Sequence, residues 1–334
     1  MYSIPQGIIR NGVAYLIAVP PRSDGFPIEK SVMLRFPCHT DNVQPELKEV
    51  DGELISICRC DSVNGAAAIT TDGRVFYHTE NEFLEEKERI VSDDGALFQI
   101  REIDRQLFTC GINGQIYRKN TNEWQRIDIF KEVPNLPRGI GCVFNDINGN
   151  SKDNIYVVGF EGIILHFNGI IWSLIPSPDK KNLERIIIAS DGYTYIAGMH
   201  GTILKGKNNE FKEINIDRHK ANPHDMSQWK TPQPLARDIW GLTEHKGKIY
   251  ACSFYHAYEI TGEKITPLFA NDNNNFYRLE SDKNSMFAIG ATSLTELLFD
   301  KEKGWVKDDF FDINLDIFSQ DSQDSEQDEE DEDK

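Results

Sequence analysis

Asp153–Trp172 reads DNIYVVGFEGIILHFNGIIW: two short apolar runs, IYVVG and IILHF, flank the turn Gly159–Phe160–Glu161–Gly162, and a tryptophan stands ten residues beyond the second glycine. Runs this short between turn signals suit strands rather than helices. Glycine suits the reversal because φ > 0 costs it no steric penalty. The pattern returns as CGINGQIYRKNTNEW, ending at Trp124, and as AGMHGTILKGKNNEF, ending at Phe211, with TTDGRVFYHTENEF as a looser copy. Gly73, Gly114, Gly162 and Gly201 each stand ten residues before Phe83, Trp124, Trp172 and Phe211. Self-similarity at a spacing of roughly 40 residues, built of short strands, is the mark of a β-propeller whose repeats are four-stranded blades. The expected fold is therefore all-β, a single β-propeller. A lone blade cannot bury its own faces, so a ring is implied, with each aromatic packing the outer strands onto a neighbouring blade.

Outward from this unit, the repeats are legible from Glu53 to about residue 92, to about 132, over 133–180 and through the compact unit ending near 214. Two more follow, beginning near Ala236 and Phe276. Residues 1–53, with candidate strands at Gly12–Val19 and Ser31–Phe36, can supply a divergent blade, which makes seven; six is the alternative. The polar stretch Asn145–Asn154 in the third unit reads as an inserted loop, because Asn, Asp, Ser and Gly favour side-chain-to-backbone turns. To close the ring, WVKDDFFDINLDIF or the unit before it is expected to pair with the amino-terminal region. From Ser319 onward nine acids, one lysine and no apolar residue predict a disordered acidic tail, 319–334, behind a propeller of residues 1–318.

Of the 334 residues, 39% are apolar and 10% aromatic, enough for a β-rich core. A net charge of −18 argues against bare nucleic acid or an anionic membrane, and favours a basic protein partner. The first 26 residues show no signal-peptide pattern and no stretch approaches 18 apolar residues, so a soluble, cytoplasmic chain, monomeric on its own, is expected. Cys38, Cys58, Cys60, Cys110, Cys142 and Cys252 lack zinc spacing and read as core residues in a reducing compartment. Phosphate-loop, zinc-protease and nucleophile-elbow patterns are absent, and neither a catalytic residue, a cofactor nor a metal is expected.

Two groups of residues are candidates for binding. One is the turn-bearing face, with Asn113, Glu161 and His200, then Tyr255 and His256 where the fifth unit replaces its glycines. To it belongs the segment 215–236, which lacks strand periodicity and carries His224, Asp225 and Trp229; a loop that long is usually functional or disordered. The other group is Arg138, Arg185, Arg237 and Arg278, each near the start of the innermost strand of successive units and so expected to form a basic collar at the channel mouth. Such a collar either staples adjacent blades through carboxylates or receives an acidic segment or anion.

SKDNIYVVGFEGIILHFNGIIW resembles a bacterial propeller repeat family, WD40- or YVTN-like, written S-x-x-D-[IV]-[WY]-x-V-G-x-x-G-x-I-x-H-[FY]-x-G-x-x-W, with Asn154 in place of the family's Asp. The units ending at Trp124 and Phe211 match in their second halves. The resemblance implies a propeller of bacterial type and brings no catalytic residues; many such proteins are exported, from which this chain departs. A soluble acidic propeller of this kind suits a non-enzymatic immunity protein that neutralises a basic secreted toxin. A propeller glycosidase or lyase, with carboxylates at the channel mouth, and a scaffold of a multiprotein assembly are the alternatives.

Overall fold

Seven four-stranded antiparallel sheets, each a meander in sequence order, account for the strands of the computed structural model. It describes residues 2–22, 26–40, 44–91, 95–121, 123–214, 238–254, 256–270, 276–300 and 304–312. The first strands of the blades are Ser3–Arg10, Leu54–Cys60, Leu97–Ile103, Phe144–Ser151, Leu183–Ile188, Ile239–His245 and Phe276–Ser281. Each packs beside the first strand of the next blade, and the seventh packs beside the first, so these seven strands surround the axis. The expected seven blades are realised, not the alternative of six.

Burial follows the same geometry, because a blade is apolar on both faces and each face is covered by a neighbour. The core is accordingly divided into seven hydrophobic clusters, one in every gap between blades. The repeated aromatic is a wedge in this scheme. Phe83, Trp124, Trp172, Phe211 and Trp305 each join the cluster shared with the preceding blade. Trp172 is 4% exposed, with its ring 5.3 Å from that of Phe167. All six cysteines are buried and unbridged.

The two glycines of the repeated turn serve different physical needs. Glu161 (φ 53°) and Gly162 (φ 72°) are both left-handed, and Ile163 N–H donates to Phe160 O at 3.1 Å, a type I′ turn whose twist matches that of the strands it joins. Asn113–Gly114 and His200–Gly201 repeat it. Gly159, by contrast, has an extended backbone, and a Cβ there would be driven into Val143 O, the carbonyl that accepts the Phe160 N–H at 3.0 Å. Gly111 and Gly198 meet Ala96 O and Asn182 O in the same way. The first glycine therefore exists for close approach to the entry of the inner strand, and only the second for φ > 0.

Two expectations are corrected. Asn145–Asn154 is not an inserted loop: Phe144–Ser151 is the inner strand of blade 4 and Asn154 opens its second strand. Its polar side chains are held because they bond the backbone of blade 5, with Asn145 Nδ2 donating to Leu183 O and Asn148 Nδ2 to Ile186 O, both at 2.9 Å. Nor do the chain ends close the ring by exchanging a strand. Gly304–Asp312 pairs with Ser293–Asp300 of its own blade, and Ser3–Arg10 heads a complete first blade. Closure rests on face-to-face packing of Ile4, Ile9 and Leu16 against Phe287, Ile289 and Leu294, supported by Ile4 N–H donating to Ala291 O at 2.6 Å. The acidic segment 319–334 lies outside the described residues.

Candidate functional site

In a four-stranded meander the turn between second and third strands lies at the same end as the entry to the first strand. Hydrogen bonds across the blade boundaries fix the two together. Glu161 N–H donates to Asn182 Oδ1 at 3.1 Å, and His200 N–H to Asp238 Oδ1 at 2.7 Å, each acceptor standing just before the next inner strand. Glu161 and His200 are exposed and Asn113 half-buried, so these three expected contact residues share one face. Glutamate in the left-handed region is uncommon, and at Glu161 the turn imposes it. His256 does not belong to this face: it is fully buried, its ring 6.2 Å from Tyr258, because it opens an inward-packed third strand. Tyr255, His224, Asp225, Trp229 and Arg237 lie outside the described residues.

All seven inner strands carry an irregularity at this place: in blade 1 Ile4 and Pro5 together face Ala18, and in the other six a single residue is skipped immediately after a buried apolar one. In blade 5, Leu183 pairs with Gly198 and Arg185 with Ala197, which leaves Glu184 without an opposite number. The same skip leaves Ile55, Phe98, Asn145, Trp240 and Tyr277 unpaired in blades 2, 3, 4, 6 and 7. A bulge of this kind re-aims a side chain out of the ladder. Here it builds a ring of half-buried residues at the channel mouth, around a cavity of about 170 Å³. The cavity is lined by Ile55, Phe98, Asn145, Glu184 and Trp240 together with Gln6, Gln99 and Arg278.

Directly below the bulges a polar belt ties blade to blade. Ser56 Oγ donates to Gln6 Oε1 at 3.2 Å and accepts from Ile100 N–H at 3.2 Å. Asp146, fully buried, accepts Ile186 N–H at 3.0 Å and faces Arg101 Nε at 3.4 Å and Arg185 Nη1 at 3.6 Å. Arg185 also donates to Gln99 Oε1 at 2.7 Å, reaching from blade 5 past blade 4 to blade 3. Burial opposes the charge of both arginines; at Arg101 the attraction of Asp146 outweighs it, whereas at Arg185 burial prevails and the pKa falls.

Of the expected collar, Arg185 and Arg278 stand on inner strands and Arg138 does not. Arg138 is exposed, six residues ahead of Phe144–Ser151, with its guanidinium 5.3 Å from the centre of the Phe130 ring. Its displacement follows from the misread polar strand, which moved the expected inner strand upstream. In blade 6 the slot that corresponds to Arg185 and Arg278 belongs to Gly241. Arg185 acts as a staple between blades, through Asp146. Arg278 instead donates Nη1 to the carbonyls of Trp240 (2.7 Å) and Tyr277 (2.9 Å), and burial depresses its pKa, helped by Arg185.

Sequence reasoning missed the bulge ring, although its signal was present as the residue after Leu54, Leu97, Phe144, Leu183, Ile239 and Phe276 in aligned repeats. Among the described residues Glu184 is the one carboxylate lining the cavity, where burial raises its pKa against the pull of Arg278 and Arg185. A glycosidase would require a second. Among the described residues no group of three His, Cys, Asp or Glu side chains could hold a metal, and no helix is long and apolar enough to cross a membrane.

No family model matches the chain. Among solved structures it is similar to the WD40 β-propeller domain of Doa1 (TM-score 0.57, 8% identity, 87% of this chain and 94% of that one). It is similar also to YCF48 bound to D1 peptide (0.58, 12%, 93% and 92%). A third is PorZ of the type-IX secretion system of Porphyromonas gingivalis (0.61, 11%, 94% of this chain, 39% of that one). At such identities these likenesses show the fold alone, a WD40-like propeller. In sequence the chain is 26% identical over 270 residues, 78% of its length and 83% of the relative's, to the immune protein Tsi7 of Pseudomonas aeruginosa PAO1, a likeness that bears out the expectation of an immunity-type β-propeller.

Proposed function

We propose that this chain is a cytoplasmic, monomeric immunity protein that neutralises a basic protein toxin by binding it, without chemistry of its own. The observation that carries the reading is the likeness to an immune protein across most of the propeller. The bulge-lined mouth and the exposed turns at Glu161 and His200 supply a rigid contact face in support of it. Charge supports a cationic partner: the nine acids and one lysine of 319–334 account for −8 of the −18, leaving −10 on the rest. An acidic body of this kind speeds association with a cationic protein, increasingly so as salt falls. Six buried, unbridged cysteines suit a reducing compartment.

Co-expression with candidate basic toxins, beginning with the products of neighbouring genes, tests the proposal. Restored growth, and a complex that survives purification and associates more slowly at high salt, are expected. Failure of the protein to bind or protect against any of them refutes the immunity role, and a salt-independent association rate refutes the basic partner.

A further inference from the structure

The mouth cavity holds a carboxylate that Arg278 and Arg185 attract without contacting it. Glu184 is half-buried, yet among the described residues its carboxylate has neither a hydrogen bond nor an ion pair. Arg278, which lines the same cavity, is tethered to the carbonyls of Trp240 and Tyr277, and its Nε is buried without a hydrogen-bond partner. Other acids of the axis are satisfied: Asp146 by Arg101 and Arg185, and Glu280 by Arg59 at 3.4 Å. Around Glu184 the walls are the rings of Phe98 and Trp240 and the chain of Ile55. Asn145 spends its Nδ2 on Leu183 O, which leaves its amide oxygen as an acceptor at the cavity. A carboxylate, a spare amide oxygen and two aromatic rings around a space of about 170 Å³ are the requirements of a cationic side chain: a counter-ion, an acceptor for its N–H groups and π-faces for its charge.

We propose that the channel mouth is a receptor for one arginine or lysine side chain presented on a loop of the partner, with Glu184 as counter-ion and Trp240 and Phe98 as walls. This deepens the immunity reading by naming the partner's anchor. The bulge gives the site its rigidity, because Glu184 is held between buried Leu183 and the stapled Arg185 and so binds without ordering a loop first.

The test needs no toxin. The indole N–H resonance of Trp240, identified with Trp240→Phe, is followed by NMR while N-acetyl-arginine methylamide is added, with the neutral citrulline analogue as the control. The arginine probe is expected to shift that resonance and to bind about tenfold more tightly than citrulline, a preference that Glu184→Gln abolishes. Equal binding of the two probes, a preference that survives in Glu184→Gln, or shifts that leave Trp240 untouched would each overturn the proposal. Toxin binding is scored separately. A wild-type protein that prefers the arginine probe but ignores the toxin keeps this site and loses the immunity role; one that binds the toxin but shows no preference loses only the site.

Discussion

Asp146→Ala should be among the most damaging single changes in the molecule. The aspartate is fully buried, and its loss strands two guanidinium groups, Arg101 and Arg185, together with the Ile186 N–H that it accepts at 3.0 Å. Leaving a buried charge without its partner costs about 3–5 kcal/mol, far more than an exposed ion pair is worth. Asp146→Asn keeps an acceptor for Ile186 and isolates the charge. Combining it with Arg185→Met removes anion and cation together, so the double variant should be more stable than the sum of the single losses by about 1–3 kcal/mol. Urea titrations followed by tryptophan fluorescence and by far-ultraviolet circular dichroism would measure this, coincident transitions establishing that the losses can be compared. Hydrogen exchange at Ile186 N–H should quicken in Asp146→Ala. A loss below about 1 kcal/mol, or strictly additive single changes, would refute the view that this belt staples blades 3, 4 and 5.

Three further outcomes are expected. Trp172→Ala empties the wedge between blades 3 and 4 and should cost about 3–5 kcal/mol in denaturant titrations; a loss under about 1 kcal/mol would contradict its packing role. Gly159→Ala should cost roughly 3 kcal/mol, because the new methyl meets the Val143 carbonyl although the backbone angles suit any residue; an unchanged melting temperature would show that the close approach is dispensable. Glu184→Gln should stabilise the protein at neutral pH. Burial, reinforced by Asp238 and Asp146 and opposed by Arg278 and Arg185, raises the folded-state pKa above the ordinary 4.5, so the folded form holds this proton more tightly than the unfolded one. Below pH 4.5 both states are protonated and the variant has no advantage; its advantage grows as pH rises through the raised value. Thermal melts in which the wild type and the variant differ equally across that range would rule out the carboxylate as the source.

How far the sequence could be read depended on how each residue is buried. Apolar runs such as IYVVG and IILHF, and the aromatic ten residues beyond the turn, report packing against a neighbouring blade, so strands, turns and the ring they require were legible from the chain. NDINGN was not, because an inner strand is covered by other inner strands and can satisfy polar side chains on their backbones, as Asn145 and Asn148 do on Leu183 O and Ile186 O. From that single misreading came the wrong register of Arg138.

Periodicity along the chain thus determined by itself that this protein is an array of short sheets that must close on one another, since apolar faces at that spacing have no other cover. Which side chains meet at the axis was decided only in three dimensions. Skipped pairings between first and second strands set the direction of Ile55, Phe98, Asn145, Glu184, Trp240 and Tyr277, and such a skip exists only once two strands are in register.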